Sequence, residues 1–206
     1  MKLLVSAMEA SSNVHLKELK KYLDEDIELI GVFDKELGNP LYDLTALAIM
    51  GIVDALKKLR FFFKLRDELV ELAKDCDKIL LMDSSGFNLP LAKKLRETYP
   101  NKEIIYYILP QAWAWKKGRV AKLEKYCTKL CSIIPFESEM YSDKNKITYV
   151  GHPLLDEIKE FKTEFQETNK IAFMPGSRKT EILNLMPIFK ELIKEIPNKE
   201  YILIIP

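Results

Sequence analysis

Three stretches of this chain place residues able to move protons or hold anions directly after short apolar runs. Asp83 closes the run KILLMD, Glu9 follows KLLVSAM, and Gly176, Ser177 and Arg178 form a turn after IAFMP. A carboxylate at the mouth of a buried strand is partly desolvated, which raises its pKa and suits it to take a proton from a hydroxyl. An aspartate accepting backbone N–H groups from the next helix accounts for Asp83 equally well, whereas Glu9 is harder to explain as a cap. The turn at 175–178 offers backbone N–H groups, a hydroxyl and a guanidinium at the start of a helix whose first turn carries Glu181. That arrangement cradles a phosphorylated ligand, with Arg178 pairing phosphate oxygens through its planar fork.

Other polar residues cluster after the same runs. Ser11, Ser12 and Asn13 follow Glu9, and Ser84 to Asn88 follow Asp83. Small residues there let a ligand approach the backbone, although Ser12 or Asn13 also suits a helix cap. Gln111, Trp113 and Trp115 precede Lys116 and Lys117, and aromatic faces beside an amide and cations suit a sugar ring. His15 and His152 are the only histidines, far apart in sequence and without a partner cluster, so no metal site is expected, and no cofactor. His152, in GHP, is placed to line a crevice.

These residues require strands to carry them. Apolar runs KLLVSA, IELIGVF, KILLMD, EIIYYIL, LCSIIPF and ITYVG alternate with helical segments near 15–23, 46–73, 89–98, 117–126 and 138–142. Alternation of this kind predicts a six-stranded parallel sheet wrapped by helices, an α/β Rossmann-like domain over residues 1–155. Ligands then collect at the carboxyl ends of the strands. Residues 156–168 read as a linker or connecting helix, and 169–206 as the start of a second Rossmann-like domain: strand IAFMP, a helix near 181–195, then YILIIP. One β-α-β unit cannot bury both faces of a sheet, so this second domain is expected to be incomplete and the chain by itself inactive.

Bulk composition removes several classes. Lys plus Arg number 32 against 31 Asp plus Glu, a formal net charge of +1, so no global field draws the protein to nucleic acid. The three cysteines lack metal-site spacing and read as reduced structural thiols of a cytosolic protein. No apolar run approaches the ~20 residues of a spanning helix. The segment MGIVDALKKLRFFFKLRDEL is different, interleaving Phe61, Phe62 and Phe63 with Lys57, Lys58 and Arg60. Three consecutive phenylalanines cannot all sit on one helical face, so surplus apolar surface on a basic helix points to a lipid interface. A core helix with a solvated basic face is the alternative.

Taken together, MEASSN, IMGIVDAL, LLMDSSGFNLPLA, YYILPQAWAWKKGRV, IPFE, VGHPLLDE and FMPGSRKTEI, in this order over nearly the whole chain, resemble the lipid-A-disaccharide synthase family. The resemblance implies an inverting glycosyltransferase of GT-B fold, two Rossmann-like domains with the acceptor on the first and the UDP-sugar on the second. It implies transfer of 2,3-diacylglucosamine from UDP onto the 6-hydroxyl of 2,3-diacylglucosamine 1-phosphate (lipid X), at the inner face of the cytoplasmic membrane. By the same resemblance Asp83 falls on the family's essential aspartate, Glu9 on its first-loop glutamate, Met50 and Gly51 on the pair opening the lipid-side helix, and Asn88 on the asparagine that follows the aspartate. Ser11, Asn13, Gln111, Trp113, Trp115 and His152 are then expected at the substrate. Two positions depart from the family pattern: Asn13 replaces an aspartate in the first loop, and Gly86 stands where a second aspartate often follows the first. Two other readings compete: a GT-B transferase or epimerase with a water-soluble acceptor, and a non-catalytic, membrane-associated nucleotide-binding fragment.

Overall fold

The computed structural model describes residues 1–43, 55–114, 116–156, 158–161, 163–164, 166–177 and 179–205, without the side chains of 55–58. Met50, Gly51, Trp115, Arg178 and the side chains of Lys57 and Lys58 therefore lie outside the described residues. The chain separates into two units, Met1–Lys159 and Glu160–Pro206.

In the first unit the strands are β1 (Lys2–Ala7), β2 (Glu28–Phe33), β3 (Tyr42–Asp43), β4 (Lys78–Met82), β5 (Glu103–Tyr107), β6 (Lys129–Ser132) and β7 (Ile147–Tyr149). All pair in parallel, giving a seven-stranded sheet of order β3-β2-β1-β4-β5-β6-β7. The strand beyond the six expected is β3, whose two residues are too few to show any periodicity. From β1 the chain winds outward through β2 and β3, then returns to place β4 on the other side of β1. That reversal opens a crevice at the carboxyl ends of β1 and β4, the usual ligand position in an open parallel sheet. Ala7 and Met82 are register partners, so Glu9 and Asp83 leave the sheet side by side.

Alternation along the strands builds two cores. Leu4, Ile79, Leu81, Ile104, Tyr106 and Leu130 share one core with residues of α2 (Ala55–Leu72), α3 (Ser85–Thr98) and α4 (Gly118–Tyr126). Leu3, Val5, Leu80, Met82 and Tyr107 share the other with Leu16 of α1 (Ala10–Lys20). Side chains as fully buried as Leu4, Leu65 and Leu95 each contribute about 1.5–3 kcal/mol. Helix α1 begins earlier than its apolar periodicity suggests, because Glu9 takes the N-cap position and Ser12 Oγ accepts from the Glu9 N–H at 3.1 Å. The short helix expected near 138–142 is a 3-10 turn, Pro135–Met140, opened by its proline.

The second unit pairs β8 (Lys170–Phe173) with β9 (Glu200–Leu203) in parallel, joined by α5 (Lys179–Glu195). Phe173 stacks on Phe189 and on Tyr201, with ring centroids 4.5 and 5.4 Å away. Among the described residues of 158–169 there is no helix, contrary to one of the two forms expected for the linker.

Candidate functional site

At the crevice two successive non-glycine residues are left-handed: Asp83 has φ 49° and Ser84 φ 40°. Each costs free energy in an L-residue, so the surrounding structure must hold them there. Asn88, fully buried in the first turn of α3, does part of this: its Nδ2 donates to the carbonyls of Met82 at 2.9 Å and Asp83 at 3.0 Å. Its Oδ1 accepts from Ser6 Oγ at 2.7 Å, which ties the end of β1 to the end of β4. Tyr106 donates its hydroxyl to the Asp83 carbonyl as well. Asn13 plays a similar part beside β2, donating to the carbonyls of Ala7 and Glu9 at 2.9 and 2.8 Å and accepting from the Asp34 N–H at 2.7 Å. Asn13 and Asn88, expected at the substrate, thus have a framework role here, their amide N–H groups donating to the protein's own carbonyls. Ser11, in the first turn of α1, is exposed.

Asp83 and Glu9 line one cavity of about 570 Å³ together with Met8, Leu59, Phe62, Phe63, Arg66 and Phe87. Ser84 Oγ donates to Glu9 Oε1 at 2.8 Å, linking the two loops. Of the three phenylalanines of α2 expected at a lipid interface, only Phe63 is exposed. Phe61 turns inward, edge-on to Tyr42 at 5.6 Å, and Phe62 lies 5.8 Å from Phe87. Phe63 remains 49% exposed and Leu59 52% exposed, and Arg60 is exposed beside them. The helix therefore supplies both a core seam, through Phe61, and an apolar cavity rim, through Leu59 and Phe63.

Burial raises the Asp83 carboxyl above its ordinary pKa, and the neighbouring Glu9 charge raises it further, partly opposed by a hydrogen bond from the Ser84 backbone. The folded state thus binds the Asp83 proton more tightly than the unfolded chain, so this group's contribution falls as pH rises from the ordinary aspartate range through the raised value. Asp83→Asn is expected to melt at a higher temperature than the wild type at pH 7, with the difference closing as the pH drops below about 4. Thermal unfolding of the two chains at pH 7 and near pH 4 checks this; equal melting at both would contradict it.

The next strand end brings Gln111, exposed, and Trp113, whose ring meets Phe136 edge-on at 5.3 Å. Glu137 is buried beneath them, accepting from Ser132 Oγ at 2.5 Å and from the Trp113 indole, and burial raises its pKa. Glu137 lies in the IPFE motif, yet spacing alone assigns it no role. His152 falls elsewhere: it lines a second cavity of about 620 Å³, between α1 and the sheet face bearing Leu80 and Tyr107, and not the one holding Asp83. Far from being isolated, its ring packs against His15 at 5.6 Å, and burial, then the His152 charge, lowers the His15 pKa. Among the described residues no group of three or more His, Cys, Asp or Glu could hold a metal ion.

In the second unit, Gly176 has φ 87°, and a Cβ there would meet Glu181 Oε2 at 2.4 Å. The same Oε2 accepts from the Ser177 N–H at 3.2 Å. The Glu181 carboxylate thus engages a turn amide where an anion was expected, and a phosphate bound there must displace it.

The profile of the family described as lipid-A-disaccharide synthetase matches residues 3–203. The lipid-A-disaccharide synthase of Helicobacter pylori (strain ATCC 700392 / 26695) is 51% identical over 199 residues, covering 96% of this chain and 54% of the relative. That of Helicobacter acinonychis (strain Sheeba) is 50% identical over 198 residues, with 96% and 54% covered. That of Campylobacter jejuni (strain RM1221) is 42% identical over 224 residues, covering 98% of this chain and 60% of the relative. The chain spans about half the length of the curated relatives it matches.

Proposed function

The chain belongs to the lipid-A-disaccharide synthetase family, and we propose that it carries the acceptor side of a glycosyltransferase acting on acylated glucosamine. The observation that carries this reading is the single cavity in which the raised Asp83 carboxyl and Glu9 meet Met8, Leu59, Phe62 and Phe63. A base beside an apolar trough fits a hydroxyl presented by a molecule with acyl chains. In the reaction, the 6-hydroxyl oxygen of 2,3-diacylglucosamine 1-phosphate attacks the anomeric carbon of UDP-2,3-diacylglucosamine. The anomeric C–O bond breaks with its electron pair leaving on UDP, and Asp83 takes the hydroxyl proton. The turn carrying Gly176 and Ser177, with Arg178, is proposed for the diphosphate, whose charge is met by amides at a helix start. Residues 1–155 then form the acceptor domain and 169–206 part of the UDP-sugar domain.

Leu59, Arg60 and Phe63 are proposed to rest on the inner face of the cytoplasmic membrane, from which both acylated substrates come. No helix among the described residues is long and apolar enough to cross a membrane. Leu59→Ser with Phe63→Ser is expected to lower co-sedimentation with anionic phospholipid vesicles about tenfold or more, each large side chain contributing about 1.5–3 kcal/mol on burial. Unchanged sedimentation would remove the membrane contact.

The reaction is tested in a protein joining this chain to the remaining portion of the Helicobacter pylori relative. UDP release with both acylated substrates, and none when the acceptor is unacylated glucosamine 1-phosphate, is the expected outcome. Equal release with the unacylated acceptor would favour a transferase with a soluble acceptor instead.

A further inference from the structure

We propose that Tyr106 is a positioning residue for Asp83: its buried hydroxyl donates to the Asp83 carbonyl and, with the Asn88 amide, holds the left-handed turn that keeps the carboxylate in the cavity. The inference rests on the reading of Asp83 as the base, and the sequence offers no signal for it, since Tyr106 reads only as an apolar position within β5. In the fold, Tyr106 is fully buried on the core face shared by α3 and α4. Its hydroxyl and Asn88 Nδ2 converge on one carbonyl oxygen and use both of its lone pairs. That carbonyl belongs to the first of the two consecutive left-handed residues, where a preference for ordinary backbone would swing the carboxylate toward solvent. The Asp83 N–H is engaged too, by the Tyr107 carbonyl at 3.3 Å, so β5 grips both sides of the residue. The charged groups lining the same cavity are Glu9, from the β1–α1 junction, and Arg66, from α2.

A tyrosine that only fills the core would leave Asp83 unaffected on loss of its hydroxyl; one that positions it would not. Carbon-13 titration of the aspartate carboxyls reads this directly, with the Asp83 signal identified as the one missing from Asp83→Asn. In Tyr106→Phe the Asp83 carboxyl is expected to titrate at lower pH than in the wild type, moving back toward the ordinary aspartate value as it gains solvent. Replacing Tyr106 with 4-aminophenylalanine, which keeps a donor at the same reach, is expected to restore the wild-type titration. Tyr107→Phe, on the opposite sheet face, is expected to leave it unchanged. An Asp83 titration in Tyr106→Phe identical to wild type overturns the proposal. Because this measurement needs no turnover, it stands apart from UDP release by Asp83→Asn, whose persistence would overturn only the base assignment.

Discussion

Asp83→Asn is expected to lower UDP release by about 10²- to 10⁴-fold, the contribution of a well-placed general base. The comparison is made in the protein joining this chain to the rest of the Helicobacter pylori relative, with both acylated substrates saturating. Asparagine matches aspartate in size and tolerates left-handed backbone as readily, so the turn at φ 49° and 40° survives the change. What is removed is the carboxylate proposed to accept the proton of the sugar hydroxyl. Glu9 is a weaker substitute because it is exposed and engaged by Ser84 Oγ at 2.8 Å. Since the carboxylate is the working form, activity in the wild type is expected to rise with pH along a limb set above the ordinary aspartate range, as burial and Glu9 hold the Asp83 pKa up. Retained turnover in Asp83→Asn would sink the assignment, whereas a variant that also failed to melt cooperatively would point to a turn that does not tolerate asparagine.

Gly31→Ala is expected to destabilise the first unit severely. Gly31 sits in β2 opposite Val5 with φ 125°, and an added Cβ would stand 2.1 Å from the Val5 carbonyl oxygen and 3.1 Å from its carbon. The obstacle is backbone in the interior strand β1, so no side-chain rotation relieves it, and β1 must separate from β2. Backbone strain of about 1–3 kcal/mol and an overpacking cost of similar size add here. Together they come to about 2–6 kcal/mol, which reaches the lower end of the stability of a typical domain, about 5–15 kcal/mol. Gly86→Ala is the matched control: it lies in α3, a Cβ meets nothing within 4 Å, and its helical backbone predicts a small gain of about 0.5–1 kcal/mol. Urea unfolding of the two variants beside the wild type checks both. A Gly31→Ala chain with wild-type midpoint would mean that β1 and β2 pair differently.

The strand-end placement of Glu9 and Asp83 is legible in the order of the residues, because a parallel sheet gathers whatever follows its strands at one edge. Which strands become neighbours is not: β1 and β4 lie far apart along the chain, and only its return past β1 brings their ends together. Asn13 reads equally well as a ligand contact or a helix cap, and Asn88 by resemblance as a substrate contact, until their carbonyl partners are seen. Phe61, Phe62 and Phe63 are identical letters in a row, and Tyr42 and Phe87, supplied by distant segments, separate the inward pair from the exposed Phe63. The packing of His15 against His152, near opposite ends of the first unit's sequence, has no local signature either.

By itself, then, the sequence determined the α/β class, the positions of most elements, the family, and which loops carry polar residues, because hydrophobic period and motif order are local properties. The tertiary structure alone decided that Asp83 shares an apolar cavity with Phe62 and Phe63, that His152 belongs to another, and that Tyr106 and Asn88 clamp one carbonyl. Those outcomes depend on which distant surfaces meet when the sheet closes against its helices, and burial, hydrogen bonding and charge acquire their values only there.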